Sequence, residues 1–139
     1  MKSLLKIYLD FDGTIVEHSF PDIGHPNPHA IRVVNLLSQY GHDIWLNTYR
    51  IDIDKAYVDK AFDYLNNDDN KLLTPLPIDK FTNKKIYPVP LDWSEVQRTK
   101  ILFLDDIADN TPLIKANHNN TMMVDWMEIE RQLVKYNFL

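Results

Sequence analysis

Apolar residues follow two different periods along this chain. "LLKIYL" (Leu4 to Leu9) and "ILFL" (Ile101 to Leu104) are short runs of branched and aromatic residues, the pattern of a strand buried on both faces of a parallel sheet. "PHAIRVVNLLSQYG" instead repeats Ile31, Val34 and Leu37 at helical spacing, with Asn27 as cap, Pro28 at the first helical position and Gly41 at the end. "HDIWLNTYR" reads as a second strand, and "DIDKAYVDKAFDYLNN" as a second helix capped by Asp52 or Asp54. "KLLTPLPI" predicts a third strand at a sheet edge, because Pro75 and Pro77 cannot donate to a ladder. "TKILFLDD" is the fourth strand, "DNTPLIKANHNN" a short capped helix and turn, "TMMVDW" the fifth strand and "MEIERQLVKYNFL" a last amphipathic helix. Residues 79–98 carry no readable period. Alternation of strands and helices predicts an α/β fold: a three-layer sandwich with a mostly parallel five-stranded, Rossmann-like sheet and right-handed crossovers.

Composition narrows the possibilities. The 139 residues suit one domain, with no linker, repeat or low-complexity tract to divide 1–139. A formal charge of -5 argues against holding nucleic acid by general electrostatics. Without cysteine, there are no disulfides, thiolate nucleophiles or cysteine zinc sites. The apolar run at the amino terminus is too short for a signal peptide and nothing reads as a membrane span, so the expected compartment is the cytoplasm. Only three glycines occur, and none forms a phosphate-cradling loop of the usual kinds.

Charge then appears where a binding site belongs. In open α/β sheets ligands sit outside the carboxyl ends of strands. "LDFDGT" puts Asp10 and Asp12 there on the first strand, with Phe11 between them turned the other way. "FLDD" puts Asp105 and Asp106 there on the fourth. If those strands are neighbours, four carboxylates converge, and their repulsion calls for a divalent cation. Oxygen-only ligands suit magnesium, which binds through a few carboxylates plus substrate phosphate. An EF-hand loop is excluded, since its twelfth position counted from Asp10 is Pro21.

"DFDGT", "LNTYR" and "FLDDIADN" resemble, in order and in strand position, the first, second and fourth motifs of the haloacid dehalogenase superfamily, over nearly the whole chain. The chain looks most like its small phosphatase-like members without a cap domain. That resemblance implies a magnesium-dependent phosphomonoester hydrolase working through an aspartyl phosphate. Asp10 is the implied nucleophile and Asp12 the implied proton donor and acceptor. Magnesium is implied at Asp10, the Asp12 carbonyl and the Asp105/Asp106 pair, with Asp106 favoured as direct ligand. Thr48 is implied as donor to a phosphoryl oxygen, with Asn47 beside it. The family's third motif supplies a lysine, for which Lys84 is preferred, then Lys85 and Lys80, with Lys100 also eligible by position.

Tyr49 and Arg50 are candidates for phosphate or leaving-group contact, because arginine presents a fork matched to phosphate. His18 and His25 lie where they could reach substrate; the other histidines read as solvated or capping. Asp109 and Asn110 serve equally as metal support or as a cap. The partner expected is a phosphorylated substrate of unspecified size, with an oligomer compatible with an uncapped site. A regulatory phospho-ligand-binding protein on the same scaffold is the alternative. A phospho-accepting receiver domain is disfavoured, because its acidic pair precedes the acceptor whereas Asp105 and Asp106 come last.

Overall fold

The computed structural model describes residues 3–67, 69 and 71–139. Strands β1 (Lys6–Leu9), β2 (Asp43–Leu46) and β3 (Ile101–Leu104) form a parallel sheet in the order β2-β1-β3. Their register sets Leu9 level with Leu46 on one side and Leu104 on the other, so all three strands finish together. One sheet face is sealed by Ile7, Leu9, Ile44, Leu46, Leu102 and Leu104. The other is only half-buried, against the expectation of two covered faces. Tyr8 and Phe103 stack there at 5.0 Å, and Lys6 lies over Tyr8 and Trp45.

The predicted five-stranded sheet is not formed. Residues 71–78 make no strand, and among the described residues β2 has only a single bridge beyond it, Leu46 to Phe81. Pro75 and Pro77 remove two of the donors that a longer ladder would need. The expected helix in 109–120 is instead β4 (Leu113–Lys115), paired antiparallel with β5 (Met122–Val124) in a separate small sheet. That hairpin is fastened to the turn after β1: Val124 N–H donates to the Gly13 carbonyl at 3.0 Å, and Asn27 Nδ2 donates to the carbonyls of Thr14 and Val124. Asn27 therefore caps no helix, and α1 (Ala30–Gln39) starts behind His29 at φ 70°.

The second predicted helix is split into α2 (Arg50–Ile53) and α3 (Lys55–Asn67) by extended Asp54, whose carboxylate accepts from Ala56 N–H. α4 (Trp93–Thr99) lies in the stretch without a readable period. Its signal is the cap: Asp92 accepts from the N–H groups of Ser94 and Glu95. α5 (Trp126–Lys135) is capped by Asp125 and buries Trp126, Ile129 and Leu133. Among the described residues no helix is long and apolar enough to cross a membrane.

Candidate active site

Because β1 and β3 are neighbours and end level, Asp10 and Asp105 emerge side by side, joined by a bond from Asp10 N–H to the Leu104 carbonyl at 2.9 Å. Behind Asp10 the chain folds into a tight turn, with Ile15 N–H bonded to the Phe11 carbonyl and Gly13 at φ 79°. A Cβ on Gly13 would overlap His18 Nε2 and Asp106 Oδ2, so glycine is required both for the backbone and for the pair beside it. The turn carries Thr14 back over Asp10: its hydroxyl donates to Asp10 Oδ2 at 2.9 Å and accepts from Asp106 N–H at 3.3 Å.

Asp10, Asp105 and Asp106 each offer a carboxylate oxygen within 4.8 Å of the others. Lys85 Nζ bridges two of them, at 3.1 Å from Asp10 and 2.5 Å from Asp105, and also donates to the Asn47 carbonyl at 3.0 Å. His18 Nε2 meets Asp106 Oδ2 at 2.7 Å. Burial, followed by the charges of Asp105 and Asp106, pushes the Asp10 carboxyl well up against the pull of Lys85. Burial likewise raises Asp105, against the pull of Lys85. Burial also pushes Asp106 upward, but its bonds with His18 and Asp10 outweigh this and hold it low. His18 is raised by its bond to Asp106. Lys85 loses solvation, yet the charges of Asp10 and Asp105 hold it above the ordinary lysine value.

The lysine in the cluster is thus Lys85, whereas Lys84 is exposed and lines a different groove with Trp45 and Thr82. The chain bends at Asn83 and Lys84, and Lys85 rather than Lys84 turns inward. Asn47 selects which: its side chain accepts from Ile86 N–H and donates to the Ile86 carbonyl, both at 2.8 Å, pinning the residue next to Lys85. With its oxygen also accepting from Thr82, Asn47 holds this loop and is not among the residues lining the cleft. Thr48 also stands behind the lining, its hydroxyl accepting from Arg50 N–H at 3.2 Å.

Arg50 is not open to a ligand either. Its Nε and Nη2 donate to the two carboxylate oxygens of Asp12 at 2.8 Å each, and its other N–H groups go to the carbonyls of Pro21, Asp22 and Tyr57. Asp12 therefore offers a metal only its main chain. Tyr49 does line the cleft, its hydroxyl pushed up to about 12 by burial and by the nearby charge of Asp12.

The cleft holds about 230 Å³ and is lined by the acids, Lys85, His18, Tyr49, Tyr87 and Ile107. A larger hollow of about 400 Å³ lies at the outer edge of β3 but has no such cluster. Four acids face two permanent cations, Lys85 and Arg50, with His18 bonded to Asp106, an excess of carboxylate that a bound cation would relieve. Three carboxylate oxygens at this spacing suit a hard cation completed by water and a phosphate. Tyr87 had no signal in the sequence, and the Asp12–Arg50 pairing joins residues 38 apart.

No family model matches the chain, and no curated protein does so significantly. Among solved structures, it is similar to a conserved protein from Bacteroides thetaiotaomicron, with TM-score 0.56 and 25% identity over 96% of this chain and 91% of that one.

Proposed function

We propose that this chain is a magnesium-dependent phosphatase that hydrolyses a phosphomonoester through an aspartyl phosphate, on a Rossmann-like scaffold of the haloacid dehalogenase kind. One observation carries the reading: Asp10, Asp105 and Asp106 converge within 4.8 Å while Lys85 bridges Asp10 and Asp105, at the carboxyl ends of adjacent parallel strands. Asp10 attacks phosphorus, the bond to the leaving oxygen breaks, and that oxygen takes a proton from Asp12. Water then attacks the same phosphorus and returns a proton to Asp12, and the bond to the Asp10 oxygen breaks to release inorganic phosphate.

Asp10, Asp105 and Asp106 would hold magnesium, whose charge offsets that on the phosphoryl oxygens. Lys85 adds positive charge at the same place, Thr14 orients Asp10, and Arg50 fixes the carboxylate of Asp12 at the cleft. The test is phosphate release from phenyl phosphate by the wild type and Asp10→Asn, each with magnesium and with chelator. Turnover by the wild type with magnesium alone is the expected result. Full activity in Asp10→Asn would remove the nucleophile. Magnesium binding with no turnover across a broad panel of phosphoesters would leave a regulatory binding protein instead.

A further inference from the structure

We propose that the leaving group of the substrate carries a planar ring and no second anionic group, and that the ring rests against Tyr87 and Tyr49 at the mouth of the cleft. This rests on the phosphatase reading and specifies its substrate class. Charge in the cleft is confined to its acids, Lys85 and His18; the remaining lining is Tyr49, Tyr87 and Ile107. Tyr87 is 79% exposed and Ile107 54%, so neither is there to fill the core. At the rim of a charged cleft they offer a ligand an apolar face beside its polar anchor.

The two residues are also held in place, Tyr87 by its backbone and Tyr49 by its ring. Tyr87 follows Ile86, whose N–H and carbonyl are both bonded to Asn47, so its backbone is pinned while its ring stays open to solvent. Tyr49 packs against Phe20 at 4.9 Å, and Phe20 against Tyr57 at 5.1 Å, forming a stiff aromatic wall. Tyrosine rings stack planar groups at modest entropic cost, having only two side-chain torsions each to fix.

A further feature agrees. Lys85 is the one lysine or arginine lining the cleft among the described residues, and it is already shared by Asp10 and Asp105. A second phosphate or carboxylate on the leaving group would find no unpaired cation in this lining, which disfavours bisphosphates and polynucleotide ends. Aryl and nucleoside monophosphates both present a planar ring to this stacking face.

The experiment compares kcat/KM, with saturating magnesium, for phenyl phosphate, uridine 5′-monophosphate, glycerol 1-phosphate, fructose 1,6-bisphosphate and acetyl phosphate. Acetyl phosphate has no ring and needs no protonated leaving group, so it reports the phosphoaspartate chemistry alone. Preference for one of the two ring-bearing esters over glycerol phosphate and the bisphosphate is expected, and which of them leads identifies aryl or nucleoside. Tyr87→Ala should lower the ratio of ring-ester to acetyl phosphate kcat/KM about tenfold, chiefly through KM, as for a lost stacking contact. Tyr87→Phe should restore the ratio. Turnover of acetyl phosphate without any ring preference, or a ratio untouched in Tyr87→Ala, overturns this inference and leaves the phosphatase standing. Failure of all five substrates with magnesium bound overturns the phosphatase reading itself.

Discussion

Arg50 and Asp12 form a bidentate pair in which both side chains are 0% exposed and each carboxylate oxygen lies 2.8 Å from a guanidinium nitrogen. The same guanidinium sits over the rings of Phe11 and Phe20 at 5.2 and 5.0 Å and donates to carbonyls on either side of it. It therefore joins the end of β1, the loop that follows and the start of α2 and α3. Arg50→Gln strands a buried carboxylate and is expected to cost about 3–5 kcal/mol of folding stability. Urea unfolding measures it. The double variant Asp12→Asn/Arg50→Gln should recover part of that loss; strictly additive losses would show that the two residues are not coupled.

Lys85 and Lys84 are adjacent in sequence but unequal in the site. Removal of positive charge aimed at a transferring phosphoryl group lowers turnover by about 10²–10³ in comparable sites. Lys85→Met should show a loss of that order and Lys84→Met less than about a twofold change, measured as initial rates. Equal losses would mean that the loop held by Asn47 rearranges when substrate binds.

Gly13 combines a positive φ with no room for a side chain. Gly13→Ala is expected to destabilise the fold by about 1–3 kcal/mol and to separate His18 from Asp106. Thermal unfolding reports the first effect, and the His18 ring resonances in an NMR pH titration report the second.

Magnesium should stabilise the protein by an amount that grows with the logarithm of its concentration above Kd, about 2.7 kcal/mol at a hundredfold excess. Asp10 is pushed up by burial and by Asp105 and Asp106, so its charge works against the metal-free fold. A raised carboxyl loses stability as pH climbs through and beyond its ordinary value, and at pH 7 that penalty is present. Asp10→Asn should consequently raise the midpoint of the metal-free protein while shrinking the shift on adding magnesium. Calorimetric scans with magnesium and with chelator decide both.

Glu17 lies outside the cluster, 2% exposed, and both of its oxygens are taken by His118, through the ring at 2.7 Å and the backbone N–H at 3.1 Å. Burial alone would raise its carboxyl; the bonds from His118 and the charges of His118 and His25 hold it below the usual value. The sign follows: a lowered carboxyl contributes stability present above its ordinary value and lost as pH falls through the folded one. His118 is 52% exposed, so His118→Ala should cost about 1 kcal/mol at pH 7. The gap from wild type should narrow as pH falls below the ordinary carboxyl value and close only below the lowered folded one, where Glu17 is protonated in either state. A gap constant with pH would sever the link.

Some of this architecture is written locally. β1 and β3 are readable because a short apolar run followed by acids needs no partner to be recognised, and the acids at their ends mark where a ligand belongs. α4 could have been found from Asp92 and Glu95, a cap signal in an otherwise polar stretch. The strand expected at 71–78 failed because two prolines removed its donors, and the expected 109–120 helix gave way to a hairpin whose pairing partner lies beyond it. Periodicity over such short stretches does not separate a helix turn from an edge strand.

Sequence by itself determined that Asp10, Asp12, Asp105 and Asp106 stand at strand ends and that thiol chemistry is absent. Tertiary structure alone decided what each polar group meets. Arg50, matched by its chemistry to phosphate, is consumed by Asp12; Lys85 rather than Lys84 turns inward because Asn47, 39 residues from Ile86, pins the neighbouring backbone. The reason is physical: burial leaves each donor one set of partners, and those partners come from distant parts of the chain that local pattern does not order.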